Sequence, residues 1–336
     1  MSDRMPPPTK PNSTPLPAAS QAGGLRWEDA VYAAHKYWSY FFETQGFTPD
    51  RSAPQISHGV AEAARQARGL GRGPGIFVHG IMPRSGTVYM GELLRLHPNL
   101  VRHPHQLWEF PALQLSEDLH RLQSKFLRMY KLNRSRVLAD DFLMLFGGAM
   151  MAWLHEPVPV EQRVLIKMPS VQYLDRFFTM FPYENLLILV RDGRDLVHST
   201  LRTWRYASFV QICLRWNRSA RMILALRGAP GFDQRRYWLA KYEDALFEPE
   251  AFVRQACSQF GLDPLVYPYD KIKHIRVVGS SKLAERPNFK WSYQRRPDNF
   301  RPVEYWKGWS PLRKLVFKAI AGRSLIELGY CPDHNW

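Results

Sequence analysis

The sequence predicts an α/β layered fold with a central, mainly parallel sheet flanked by helices. Short apolar runs at 75–80, 163–169, 185–192 and 236–244 read as strands, and runs without polar alternation suit a sheet buried on both faces. A helical pattern follows each, at about 87–97, 171–181, 194–204 and 249–261. The chain of 336 residues is 45% hydrophobic, enough for one elaborated core. Strand alternating with helix places ligands at the carboxyl ends of the strands.

Taken in order, residues 1–25 are rich in Pro, Ser and Ala and read as a disordered tail. A single domain at 26–336 is expected after it. "LRWEDAVYAAHKYWSYFF" (25–42) carries an aromatic helical pattern, and the Gly-rich stretch 69–75 leads into the first strand, "GIFVHG". "FLMLFGGAMMAWL" (142–154) is the longest uncharged apolar run. It is too short to span a bilayer and reads as a buried helix. Further helices are expected at 208–226 and 311–330, the second closed by Gly329. Between 264 and 310 lies a long irregular stretch rich in Pro, Trp and Arg, and loops of that length are often functional.

Cys213, Cys257 and Cys331 are odd in number and far apart, which offers neither a disulfide framework nor a zinc site. The first residues lack the apolar core of a signal peptide. A cytoplasmic protein without a transmembrane segment is expected, with the sequons at Asn12, Asn133 and Asn217 fortuitous. The net charge of +16 calls for anionic partners. Its arginines are scattered rather than gathered into a run, which gives little support to nucleic-acid binding.

"HGIMPRSGTVYMGELLRLHP" (79–98) joins a strand to a helix through a glycine-bearing turn. Amides at a helix start, with the helix dipole, make an anion site. Gly86 permits a tight bend, Arg84 adds a fork of donors, and Ser85 and Thr87 add hydroxyls. An ordinary turn capped by Ser85 or Thr87 is the plainer reading. The lysine of the ATP-binding loop G-x-x-x-x-G-K-[ST] is missing. In "LLILVRDGRDLVHSTLRTW" (186–204) the strand ends in Arg191 before any carboxylate, and Ser199 lies eight residues on. Arginine there attracts an anion, although Asp192 and Asp195 pairing with Arg191 and Arg194 as a surface network is an alternative.

Together, "PRSGT" and the later "RDGRDLVHS" resemble the sulfotransferases that use 3′-phosphoadenosine 5′-phosphosulfate. The likeness spans about 75–330 and is nearest to the tyrosylprotein sulfotransferase branch and its bacterial relatives. It implies a P-loop NTPase-like three-layer sandwich and no metal. The resemblance implies a 5′-phosphosulfate loop at 80–90, with Arg84, Ser85, Gly86 and Thr87 on the phosphate and sulfuryl oxygens. Val88 stands where the family often has a second threonine, leaving its backbone amide. A 3′-phosphate segment at 186–204 uses Arg191 and Ser199. A late loop, about 277–300, brings Ser280, Ser281, Lys282 and Lys290 over the nucleotide, or is a solvated turn. Tyr242 in "KYED" has a counterpart near the nucleotide, or is a core strand residue. Lys167 in "LIKMPS" matches a lysine that donates to the oxygen bridging sulfur and phosphorus.

For the base, the resemblance implies an acidic residue shortly after "HP"; in "HPNLVRHPHQLWEFPAL" (97–113) Glu109 falls a few residues late by that count and His105 at the spacing it implies. An inserted turn would bring Glu109 into place. His97 and His103 read as structural. "LWEFPAL" and the tryptophans Trp291, Trp306 and Trp309 line the acceptor pocket or pack the core. The expected reaction moves a sulfuryl group to an acceptor hydroxyl on a carbohydrate, lipid headgroup, secondary metabolite or tyrosine. An anionic acceptor would suit the positive charge. A P-loop small-molecule kinase and a non-catalytic polyanion-binding protein are the alternatives. The oligomeric state is not legible.

Overall fold

Apolar runs that lack alternation do become strands buried on both sides. The computed structural model describes residues 53–336 apart from 70, 205–206, 228, 230–231, 233–235, 279, 281–292 and 298–299. The expected tail at 1–25 and helix at 25–42 lie outside the described residues, as do Ser281, Lys282, Lys290 and Trp291. The chain runs α1 (His58–Arg68), β1 (Ile76–Gly80), α2 (Thr87–Leu94), β2 (Leu100–Arg102), α3 (Ser116–Met129), α4 (Asp141–His155) and β3 (Arg163–Met168). Then follow α5 (Phe177–Met180), β4 (Asn185–Val190), α6 (Gly193–Thr203), α7 (Phe209–Leu226), β5 (Tyr237–Lys241) and α8 (Tyr242–Phe247). Last come α9 (Pro249–Phe260), the two-residue strands β6 (Val277–Val278) and β7 (Tyr293–Gln294), and α10 (Pro311–Glu327).

The main sheet has the order β2-β3-β1-β4-β5, with every neighbouring pair parallel. After β1 the chain passes to the edge strand β2, returns inward to β3 beside β1, then crosses β1 to begin β4 on the other side. The crevice beyond β1 and β4 is therefore a topological switch point, where open α/β sheets bind ligands. Period-two geometry sends alternate strand residues to opposite faces. Phe77, Leu186 and Ile188 join one core with Leu196, Trp216 and Phe317. Ile76, Val78, Leu187 and Leu189 join a second with Met90, Leu93 and Phe252. Helices thus cover both faces, giving three layers.

The expected buried helix is α4, and a Cβ at Gly147 would collide with the carbonyl of Met180, so only glycine lets α4 and α5 approach. The helix expected at 171–181 is instead a 3₁₀ turn, Leu174–Arg176, running into the four-residue α5. Pro182 closes it, since a residue before proline avoids the helical region. Helix α2, expected to run to 97, ends at Leu94. Elements α1, α3 and β2 had not been assigned from the sequence. The stretch 264–310 holds short 3₁₀ turns and the β6–β7 pair.

Candidate active site

Four strand ends surround one open cleft of about 1000 Å³, its mouth included, and bring Arg84, Gly86, Thr87, Val88, Glu109, Arg191, Ser199, Tyr242 and Ser280 to its lining, with Ser85 and Lys167 buried outside that lining. Beyond β1, Arg84 (φ 78°) and Gly86 (φ 93°) are both left-handed. Gly86 is required twice over: its φ disfavours a side chain, and a Cβ there would strike the Tyr242 ring. Arg84, Gly86, Thr87 and Val88 line the cleft. Ser85 is buried just behind, packed over Gly80 so closely that a Cβ on Gly80 would meet its hydroxyl.

Beyond β4, Arg191 is buried and donates from Nη1 to the Arg84 carbonyl at 2.7 Å and from Nη2 to the Pro302 carbonyl at 2.5 Å. Its guanidinium lies 4.8 Å from the Tyr242 ring centroid. Ser199 sits two turns along α6, and its Oγ accepts from Arg84 Nε at 3.2 Å rather than from Arg191. The two turns therefore close into one cationic site. Burial, with the charge of Arg191, pulls the Arg84 pKa down to about 10.

The surface network allowed by the sequence is in fact buried. Asp192 caps α6 through the Arg194 amide and holds the Arg194 side chain at 2.7 Å. Asp195 accepts from the amides of Glu304 at 2.7 Å and Tyr305 at 2.8 Å, which pins that segment beside the cleft. Glu243 accepts from the Asp192 amide at 3.0 Å and from the Tyr330 hydroxyl at 3.1 Å. Burial pushes the carboxyls of Asp195 and Glu243 up to about 6 and about 7.

Beyond β3, Lys167 is almost fully buried. Its Nζ lies 3.7 Å from Glu109 Oε1 and 4.1 Å from the Trp108 ring centroid. Burial lowers its pKa to about 8, and the nearby Glu109 charge offsets this in part. Trp108 and Glu109 both line the cleft. The register is set by the backbone: the Phe110 amide donates to the Lys167 carbonyl at 3.3 Å. The late position of Glu109 is explained by a 3₁₀ turn at Pro104–Gln106, flanked and filled by positive φ at His103, His105 and Gln106. That turn sends His105 outward. Its Nε2 meets the Trp153 carbonyl at 2.5 Å, its ring stacks on Trp153, and it does not line the cleft. His97 and His103 bond to backbone carbonyls of Asp263 and Leu107, as structural histidines.

Tyr242 opens α8 rather than ending a strand, and serves core and cleft together. Burial pushes its hydroxyl up to about 12. Ser280 lines the cleft. Of the tryptophans that read as pocket or core, Trp309 packs in the core and Trp306 packs against it, with the Arg194 guanidinium 3.8 Å from its ring centroid. Sequence reasoning missed Arg276, Arg296, Pro302 and Tyr305, all of which line the cleft. Arginine density within 264–310 was the available signal. Around the cleft, Ser85 Oγ, Lys167 Nζ and Arg191 Nε are buried without a hydrogen-bond partner among the described residues. Buried donors of this kind beside two arginines fit a polyanion.

The model of the sulfotransferase family matches residues 74–265. The chain is 26% identical to a protein-tyrosine sulfotransferase of Drosophila melanogaster over 78% of its own length and 52% of the relative's. It is 25% identical to protein-tyrosine sulfotransferase 1 of Homo sapiens, over 78% and 71%. It thus spans about half the length of the Drosophila relative. Among solved structures, a sulfotransferase domain from a Synechococcus olefin synthase is 20% identical, with TM-score 0.43, covering 75% of this chain and 95% of the domain.

Proposed function

The chain belongs to the sulfotransferase family, and from that premise we propose that residues 26–336 form one domain moving a sulfuryl group from 3′-phosphoadenosine 5′-phosphosulfate to an acceptor hydroxyl. The observation that carries this reading is the meeting of Arg84, Arg191 and the Lys167–Glu109 pair around one cleft. The residues fit the donor. Arg84, Ser85, Gly86, Thr87 and the Val88 amide would hold its 5′-phosphosulfate. Arg191 and Ser199 would hold the 3′-phosphate, Tyr242 would support both turns, and Ser280, Ser281 and Lys282 would cover the nucleotide. When bound, the donor supplies an activated sulfuryl group and a phosphate as leaving group.

The chain's own residues then have separable tasks. Glu109 Oε1 accepts the proton of the acceptor hydroxyl as its oxygen attacks. The Lys167 ammonium and Arg84 guanidinium stabilise charge gathering on the leaving phosphate. The unbonded Lys167 Nζ is free to donate at that moment. Holding donor and acceptor in line supplies much of the remaining rate. The likeness to protein-tyrosine sulfotransferases supports tyrosine among the candidate acceptors. Cytoplasmic location is part of the proposal, supported by three free cysteines. No helix among the described residues is long and apolar enough to cross a membrane.

Thermal denaturation with 3′,5′-bisphosphoadenosine, AMP and ATP with magnesium tests the donor. A ligand at about a hundred times its Kd adds roughly 2.7 kcal/mol to the folded state, so the bisphosphate should raise the midpoint most. Arg191→Ala should abolish that rise, whereas an equal rise with ATP and magnesium would favour a kinase. For the base, Glu109→Gln should lower turnover by about 10²–10⁴, and His105→Gln should leave it unchanged. The opposite result would transfer the role to His105.

A further inference from the structure

Helix α3 packs inward partly through half-buried Leu119, which meets the core, yet it also carries apolar residues on its outward side. Its inward side is closed by buried Ser116 and Gln123, and the Gln123 amide donates to the carbonyls of Leu138 and Ala139 at 2.9 and 3.0 Å. Its outward side carries Leu122, Phe126 and Met129, spaced four and three apart and hence on one stripe. Leu122 is 54% exposed and Met129 67%, and Tyr130 and Leu132 just beyond are 66% and 87% exposed. The Phe126 ring meets Phe142 of α4 at 5.5 Å, and the exposed Leu145 extends the apolar face one turn along. An apolar face of this kind on a surface helix marks an interaction site.

The charge around it says what covers it. From residue 119 to 136 there are six Lys and Arg and no Asp or Glu. Arg121 is engaged by Glu117 and Asp118. Lys125, Arg128, Arg134 and Arg136 are exposed. A nucleic acid would use the cations and leave the stripe in water. A second copy of this chain would bring the cations against each other. An anionic lipid surface uses both, since an amphipathic helix buries its apolar residues at the headgroup boundary while flanking cations meet lipid phosphates.

We propose that α3 and the segment to Arg136 dock this protein on an anionic lipid bilayer, with Leu122, Phe126, Met129 and Leu132 inserted. Helix α3 starts seven residues after Glu109. Docking would therefore hold the Glu109 end of the cleft near the membrane, favouring acceptor hydroxyls carried there. That last consequence alone rests on the sulfotransferase reading.

The test is co-sedimentation of the full chain with phosphatidylcholine vesicles, with and without about one-third phosphatidylglycerol. No donor or acceptor is present, so failure here leaves the sulfotransferase reading untouched. The anionic vesicles should bind the chain, and added salt should weaken binding. Met129→Asp/Leu132→Asp and Lys125→Glu/Arg128→Glu should each weaken it at least about tenfold while keeping the wild-type unfolding midpoint. Equal binding to both vesicle types, no binding, or binding unchanged in the variants would overturn the proposal. So would a dimer in sedimentation velocity that Met129→Asp/Leu132→Asp dissolves, which would assign the face to a second copy.

Discussion

The turns after β1 and β4 share one plan, a parallel strand leading through a tight bend into a helix, yet they are finished differently. The first is open. Its bend rests on the positive φ of Arg84 and Gly86, and its buried Ser85 hydroxyl has no partner among the described residues. The second is largely closed on the protein itself. Arg191 holds two backbone carbonyls, Asp192 holds Arg194, and Asp195 pins Glu304 and Tyr305. A site gripping a ligand at both ends needs donors left waiting at one end and a rigid frame at the other. Changes in the first turn should therefore act mainly on binding, and changes at Asp192 and Asp195 in the second mainly on folding.

Asp195→Ala offers the sharpest way to break that contrast. It removes two hydrogen bonds to a buried carboxylate, each worth about 1.5–3 kcal/mol. Chemical denaturation should show a loss of roughly 3 kcal/mol or more. An unchanged midpoint would mean that the second turn is not a frame. In the first turn, Gly86→Ala would force a methyl against the Tyr242 ring at an unfavourable φ, costing about 1–2 kcal/mol. Here the bisphosphate affinity, followed by titration calorimetry, should fall by more than the stability loss accounts for.

The turns should also part in their response to pH. Glu243, which braces the second, has its carboxyl raised from the ordinary 4.5 to about 7, chiefly by burial. Between those values the unfolded chain has released this proton and the folded chain still holds it. This group therefore makes stability fall as pH rises from about 4.5 to about 7, with no further change above. Subtracting the Glu243→Gln stability profile from the wild-type profile should isolate that slope. Smallest of all is Ser85→Ala. Removing a buried, unbonded hydroxyl should leave the unfolding midpoint level or raise it by the equivalent of about 1 kcal/mol, while weakening the bisphosphate severalfold. A large loss of stability would show the first turn to be structural.

Much of this was legible beforehand because it is local. The four principal strands followed from apolar runs, and both anion turns from residue types next to a strand end. The buried helix at Asp141–His155 followed from the length of its apolar run. What failed was short or depended on distant partners. Strand β2 has three residues, too few for a period, and α3 hid behind an apolar stripe that faces outward. Trp306 and Trp309 read as pocket or core equally well, because an aromatic ring suits both.

By itself the sequence determined the layered α/β class and the two cationic turns, and it offered Lys167 together with two base candidates in the 97–113 segment, since backbone propensity and side-chain chemistry travel with the residues. Only the tertiary structure brings Glu109, and not His105, to Lys167 and the cleft. A 3₁₀ turn at Pro104–Gln106 takes up the extra residues, and the bond from the Phe110 amide to the Lys167 carbonyl fixes which side chain meets the lysine. Only it, too, gave Ser199 to Arg84 and pinned residues 302–305 beside Arg191. Those contacts join parts of the chain about a hundred residues apart, and their geometry is set by the packing of β1 against β4, which no local pattern encodes.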